Sequence, residues 1–341
     1  MYEIKNLDIG LTTRCNAGCP QCARTDASTN KAHSFMKMEE LYLDDIKKII
    51  PPKLCKNIQR FSLCGGYGDP LVARDILQIL EYFFEHSPNA TMFIATNGSM
   101  KKPVSWWYKL GKILKGRDCE ITFGIDGINQ EMHEKYRVHT DLDLIFRNVE
   151  IMQMHKVRTR WQYLVFDYNK EYVEQARLMA KEKKFDDFMI ITSTRPGEGD
   201  FKPPEYDIIA TSRDRDYNYF TKKKFNKIDC LSIRMKEVHI TASGIVVPCC
   251  YIDDRFTIYR YLNDYLNMFN VEWNDVPEDN YYRQDIDYLY NGIDLNRFDA
   301  KKHGLLKVLE DPWWDKFFEL QNEFKIHKCN DVCGKHDPFM S

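Results

Sequence analysis

Short runs of Ile, Val, Leu and Phe recur along the first 192 residues, separated by longer stretches in which apolar residues return every three or four positions. The short runs have the form of buried strands, and the longer stretches that of helices with one apolar face. Six strands are predicted, at Ile4–Leu11, Ile58–Cys64, Thr91–Thr96, Cys119–Ile125, Thr159–Phe166 and Phe188–Thr192. The helical spacing covers Lys37–Ile50, Arg74–Glu85, Val104–Leu114, Leu142–His155 and Tyr172–Lys183. Strands alternating with helices give βα units and a parallel sheet. Six such units are about two short of a closed eight-fold barrel, so the expected fold class is α/β, a partial (β/α)6 TIM-like barrel. Reactive groups in barrels of this kind occupy the loops after the strands. Cys15–Cys22, Gly65–Pro70, Asn97–Gly98 and Asp126–Gly127 all fall there.

Beyond Pro196 the alternation stops. A Pro-rich stretch, PGEGDFKPPEYD, and a Lys-rich one, TKKKFNK, lead to a new apolar strand pair near Val238–Ile240 and Ile245–Val247. This change predicts two domains, residues 1–215 and a small α+β domain over 216–341, the second interrupted by an insertion at 251–328. Residues 251–300 are rich in Tyr, Asn and Asp, with eleven acidic residues against four basic.

Composition narrows the function classes. A hydrophobic content of 43% in 341 residues supplies a sizeable core, and 49 basic against 51 acidic side chains leave a formal charge of -2. That balance offers no field for a nucleic acid or an anionic membrane. The N-terminus lacks a signal-peptide pattern and no segment has the apolar length of a membrane span, so a cytoplasmic protein is expected. In that compartment eleven cysteines point to metal binding before disulfides. Cys55, Cys64 and Cys119, scattered between the clustered ones, read as buried small hydrophobes.

Cys15, Cys19 and Cys22 have the spacing C-x3-C-x2-C on the loop after the first strand. Three thiolates so placed can bind three irons of a cuboidal cluster and leave the fourth open to a small chelating ligand. A closed zinc site needs about four ligands, and no fourth Cys or His lies near the triplet. The triplet resembles the signature of the radical S-adenosylmethionine (SAM) superfamily, and further motifs follow in that family's order. Gly65-Gly66-Tyr67-Gly68-Asp69-Pro70 resembles its SAM-binding glycine loop. Thr96-Asn97-Gly98 and Phe123-Gly124-Ile125-Asp126-Gly127 follow the next two strands, and Glu131-Met132-His133-Glu134-Lys135-Tyr136-Arg137 resembles a stretch whose arginine faces the SAM carboxylate. The resemblance implies SAM contacts at Gly65, Gly66, Gly68, Asp69, Asn97, Asp126 and Arg137. For Arg137 the alternative is a solvated helix charge. Gln21 stands where an aromatic is commonest, and Asp69 where Glu is usual.

The late cysteines extend the resemblance. Cys230, the hairpin form Gly244-Ile245-Val246-Val247-Pro248-Cys249, and Cys329 with Cys333 resemble the twitch domain, a shorter relative of the SPASM domain. This implies a second, auxiliary [4Fe-4S] cluster on Cys230, Cys249, Cys329 and Cys333. Cys250 stands as an alternative to Cys249, and a structural zinc on the four thiolates as an alternative to the cluster. The cofactors implied are therefore two [4Fe-4S] clusters and S-adenosyl-L-methionine, with a flavodoxin- or ferredoxin-like electron donor. The reaction implied is reductive cleavage of SAM to a 5'-deoxyadenosyl radical, which abstracts hydrogen from a substrate. The Tyr-rich insertion favours oxidative modification of a peptide or protein side chain. A small molecule such as an amino sugar is the alternative, and a non-catalytic iron-sulfur or zinc protein the remote one. His133 and His139 read as packed or surface histidines, and no residue order names a catalytic acid or base.

Overall fold

In the computed structural model, residues 3–192, 199–202, 227–269 and 271–335 are described. Both stretches read as a linker and the 215/216 boundary fall largely or wholly outside them. All six predicted strands form: β1 Asn6–Ile9, β2 Arg60–Cys64, β3 Thr91–Thr96, β4 Cys119–Gly124, β5 Arg158–Val165 and β6 Asp187–Thr192. They pair parallel in chain order. The predicted late strand pair also forms, as β7 Glu237–Ile240 and β8 Val246–Val247. Both strands join the barrel sheet, whose order is β8-β7-β1-β2-β3-β4-β5-β6. β7 runs parallel to β1 in the register Asp8 to His239, and β8 turns back antiparallel.

The helices cover the outer face. α1 Leu43–Ile49, α2 Ile76–His86, α3 Val104–Leu114, α4 Gln130–Tyr136, α5 Leu142–Met154 and α6 Val173–Glu182 follow the strands. Asn129 and Asp141 start α4 and α5 by accepting from Met132 N and Leu144 N, each satisfying an amide the helix leaves free. α1 is shorter than its apolar spacing predicts. Residues 39–41 pair instead with the chain after β1, Thr13 N donating to Glu39 O at 2.9 Å and Leu41 N to Leu11 O at 2.8 Å. Tertiary pairing there overrides a helical pattern.

Burial along the strands identifies the cavity. In β2, Phe61 and Leu63 are buried against the helices while Arg60 and Ser62 are half-buried and Cys64 exposed. β3 alternates half-buried and buried throughout, and β5 does so from Arg160 to Val165. Successive strand residues point to opposite faces, so the more accessible set lines the inner face of the curved sheet. The inner face encloses a lumen. Its floor is charged: Arg60 pairs with Glu237 at 2.6 Å, and Arg160 with Glu120 at 2.8 Å and Asp187 at 2.7 Å.

The C-terminal part lies against the β7 and β1 side. α7 Asp253–Arg260 follows β8, and α8 Tyr281–Leu289, α9 Trp313–Asn322 and α10 His327–Cys333 build a satellite layer. A short antiparallel pair, Lys227–Ile228 with Gly334–Lys335, closes it. Across that pair Asp229 N donates to Cys333 O at 2.8 Å, which brings Cys230 beside Cys333.

Candidate functional site

The loop holding Cys15, Cys19 and Cys22 leaves the C-terminal end of β1 and folds on itself, with Cys22 N donating to Cys19 O at 3.0 Å and Thr25 N to Cys22 O at 2.8 Å. The three thiols lie within electrostatic reach of one another. Burial pushes the Cys15 thiol up to about 12, with nearby Asp69 adding to it. Burial likewise lifts Cys19 to about 11, against the opposing pull of Arg137. Buried thiols of this kind ionise only where a cation compensates them, and iron is such a cation. The donor set therefore fits a metal cluster. Among the described residues no three Cys, His, Asp or Glu side chains meet at one ion-sized point. A cuboidal cluster gives each thiolate its own iron, so its ligands need not share a point.

The glycine loop is stitched to the cysteine loop. Asp69 N donates to Arg14 O at 2.9 Å, and a side chain at Gly68 would place its Cβ 2.0 Å from Thr12 O. Only a residue without a side chain lets these two backbones pass. Gly65 and Gly66 are exposed on the same loop. The Asp69 carboxylate is buried and accepts from Leu71 N at 3.0 Å, Thr96 Oγ1 at 2.9 Å, Asn97 N at 2.8 Å and Asn97 Nδ2 at 2.7 Å. Its oxygens are thus occupied by the loops after β2 and β3. The same Asn97 amide lies 3.0 Å from Asn16 Oδ1 and 3.6 Å from Cys15 Sγ, tying the β3 loop to the first cysteine.

The motif after β4 forms a second knot. Asp126, with no exposed side chain, accepts from Arg137 Nε at 2.5 Å and from Leu164 N at 2.7 Å. Arg137 is accordingly a half-buried partner of the fully buried Asp126 rather than a solvated charge, and against the pull of burial the carboxylate holds its guanidinium firmly protonated. Gly124 provides the room, since a Cβ there would stand 2.7 Å from Arg137 Nη2. His133 is fully buried, accepts from Asp126 N at 3.2 Å through Nδ1 and contacts Thr140 Oγ1 at 2.9 Å through Nε2. Burial lowers it to about 3, so it stays neutral as a packed histidine. The predicted SAM contacts therefore gather around one mouth of the lumen beside the cysteine loop.

The late cysteines separate into two sets. The thiols of Cys249 and Cys329 are each in electrostatic reach of Cys230, Cys333 and one another. Burial pushes Cys249 up to about 12 and Cys329 well above the usual range, and Gln321 Nε2 lies 3.5 Å from Cys329 Sγ. Cys250 is in electrostatic reach of its neighbour Cys249 but otherwise of Asp8, Cys64 and Glu237 on the inner face, not of Cys230, Cys329 or Cys333. Cys64 is itself exposed, unlike the buried Cys55 and Cys119, because it occupies the inward-facing last position of β2. Its expected burial is corrected by strand phase.

A third group escaped sequence reasoning. His239 is buried between Asp8 Oδ2 at 3.0 Å and Asp253 Oδ2 at 3.4 Å. Burial alone would lower its pKa, but the two carboxylates outweigh it and hold it up at about 10. The signal was present in the alternation Asn6-Leu7-Asp8-Ile9 and Glu237-Val238-His239-Ile240, which puts a polar residue at every second position of two strands. Asp253 begins α7, whose other end pairs through Arg260 with Glu39 at 2.7 Å, on the segment that lies beside Thr13 just before the cysteine loop.

Comparison with known proteins follows the same outline. The sequence model described as "Radical SAM superfamily" matches residues 9–180. A GTP 3',8-cyclase of Syntrophomonas wolfei is 25% identical over 216 residues, covering 61% of this chain and 62% of that protein. A GTP 3',8-cyclase of Aliarcobacter butzleri is 20% identical over 75% of this chain and 83% of its own length. Among solved structures, Streptococcus suis SuiB bound to S-adenosylmethionine has a TM-score of 0.55 at 14% identity, covering 74% of this chain and 61% of SuiB. The structure of native anSMEcpe with bound AdoMet has a TM-score of 0.53 at 17% identity, covering 97% of this chain and 100% of that one.

Proposed function

This chain belongs to the radical SAM superfamily, and from that premise we propose that it abstracts hydrogen from a small polar molecule held in the lumen of its barrel. It is an enzyme of the kind that uses a [4Fe-4S] cluster and SAM. When bound, the cluster would supply the electron for reductive cleavage of SAM, and the resulting 5'-deoxyadenosyl radical would provide the hydrogen-abstracting chemistry. Cys15, Cys19 and Cys22 would hold that cluster, and Cys230, Cys249, Cys329 and Cys333 an auxiliary one. SAM contacts fall to the backbone of Gly65, Gly66 and Gly68, to Asn97 and to the Arg137 side chain. Asp69 and Asp126 hold those groups in place, since their own oxygens are already taken.

The observation that carries the substrate reading is the inner face itself, which is half-buried rather than closed by apolar packing and carries paired charged groups including Arg60, Glu237 and Arg160. Such a lining suits a ligand with several hydrogen-bonding groups. The insertion tyrosines that favoured a peptide are in part turned inward: Tyr261 and Tyr290 are buried, and Tyr282 lies against Arg255. Curated relatives carry the name of an enzyme acting on GTP, which agrees with a small molecule. The chain covers 62% of the first of them, so GTP itself is a candidate to test.

The test is an anaerobic assay of 5'-deoxyadenosine with reduced enzyme, run against purine nucleotides, amino sugars and short peptides. Stimulation by a nucleotide or sugar supports the proposal. Stimulation by peptides alone transfers the assignment to side-chain modification, and intact SAM under every condition refutes the radical mechanism.

A further inference from the structure

The two segments that carry the second cysteine set are far apart in sequence. Cys249 opens the turn before α7, with Ile252 N donating back to Cys249 O at 3.1 Å. Cys329 and Cys333 sit on α10, one turn apart. Nothing in their own sequence fixes one segment against the other, and α10 has no capping side chain of its own at Ile326.

One buried ion pair joins them. Arg255, on α7, donates from Nε to Asp285 Oδ2 at 3.0 Å, and neither side chain has any exposed surface. Asp285, on α8, also accepts from the first amides of α10, from His327 N at 2.6 Å and Lys328 N at 3.1 Å. A single carboxylate thus grips the Cys329 helix with its oxygens and the Cys249 helix through its cation. The cation is held in turn. Arg255 Nη1 reaches Asp254 Oδ2 at 2.7 Å, its guanidinium carbon lies 3.8 Å from the ring centre of Tyr282, and Lys328 Nζ meets Asp254 at 3.2 Å.

Apolar packing of equal volume would stabilise such a junction at least as well, because two buried charges lose about as much hydration as they regain by pairing. What an arginine fork adds is direction. We propose that the Arg255–Asp285 pair is the positioning device of the second centre, holding Cys329 and Cys333 at the spacing from Cys249 and Cys230 at which an iron-sulfur cluster assembles. The proposal rests on the auxiliary-cluster reading given above. It also gives the Tyr-rich insertion a role, since Tyr282, Asp285 and the start of α8 belong to it.

The test uses the full chain, reconstituted anaerobically, as wild type and as Arg255→Met, Arg255→Lys and Asp285→Asn. Iron and sulfide per chain are measured, with electron paramagnetic resonance of the reduced protein with and without SAM. Wild type should hold about eight irons, four per cluster. Arg255→Met and Asp285→Asn should fall to about four, the surviving signal being the one that SAM shifts, and 5'-deoxyadenosine formation from SAM should persist. Arg255→Lys should recover part of the lost iron, which a purely volume-filling role would not produce. Should Arg255→Met aggregate, Asp285→Asn decides the matter, because it is isosteric and keeps an acceptor for His327 N. Both variants holding about eight irons with both signals would overturn the proposal. Wild type holding about four irons, or zinc, would instead remove the auxiliary-cluster reading before any variant is compared.

Discussion

Replacing Arg137 by Met tests the knot after β4. The substitution keeps much of the side-chain volume but leaves Asp126 without its cation in a place where its carboxylate has no exposed surface. Removing one partner of a buried pair costs about 3–5 kcal/mol, because the other charge stays desolvated. Unfolding entropy of about 2.1 cal/mol/K per residue gives roughly 0.7 kcal/mol/K for a chain of 341 residues, so the expected fall in Tm is roughly 4–7 °C. The guanidinium also opposes the burial-driven rise of the Cys19 thiol, so the variant should take up its first cluster less completely at neutral pH. Adding Asp126→Asn to Arg137→Met removes the stranded charge and should return about half of the lost stability. The assay is thermal unfolding of apo and reconstituted protein, with iron per chain. A loss below about 1 kcal/mol in the single variant, or the same loss in the double, would refute the pairing argument.

Two further outcomes follow from the geometry. Cys249→Ser should lose about four of about eight irons while Cys250→Ser keeps them, because Cys249 faces the other three late thiols and Cys250 faces the lumen; iron analysis decides, and the reverse pattern would exchange the two assignments. His239 has a folded pKa of about 10, above its unfolded value of about 6.5, so its ion pairs stabilise fully below pH 6.5 and lose that effect as pH rises toward 10. Thermal melts over this range should decline in wild type and decline less in His239→Gln; parallel curves would show that His239 is not charged in the fold.

The strands were legible because their apolar runs are short, separated by helical spacing and rich in β-branched and aromatic residues, and Val104–Leu114 appears with the bounds that its period predicts. The Lys37–Ile50 helix was over-read because nothing local tells that residues 39–41 pair with Thr13 and Leu11. Spacing alone made Cys15, Cys19 and Cys22 visible. The Asp8–His239–Asp253 chain and the Arg255–Asp285 pair join residues up to 231 positions apart, and each member alone is an ordinary polar residue. Strand phase would have distinguished Cys64, the last of the positions Arg60, Ser62 and Cys64 that share the inner face.

The place of β1 between β2 and β7 sets an order of events during synthesis. Its right-hand neighbour starts at Arg60, but its left-hand neighbour is made of residues 237–240, after two thirds of the chain. Until those residues leave the ribosome, β1 remains an edge whose amides on that side lack partners, and Asp8 waits for His239. Domains made of a continuous stretch can fold as they emerge, whereas pairing this distant in sequence is completed late. Cys15, the first of the three clustered cysteines, stands six residues beyond the end of β1. The strand from which their loop departs is therefore paired on both sides only after residues 237–240 have been made, whereas the loop's own ties, to Glu39, Asp69 and Asn97, are available much earlier.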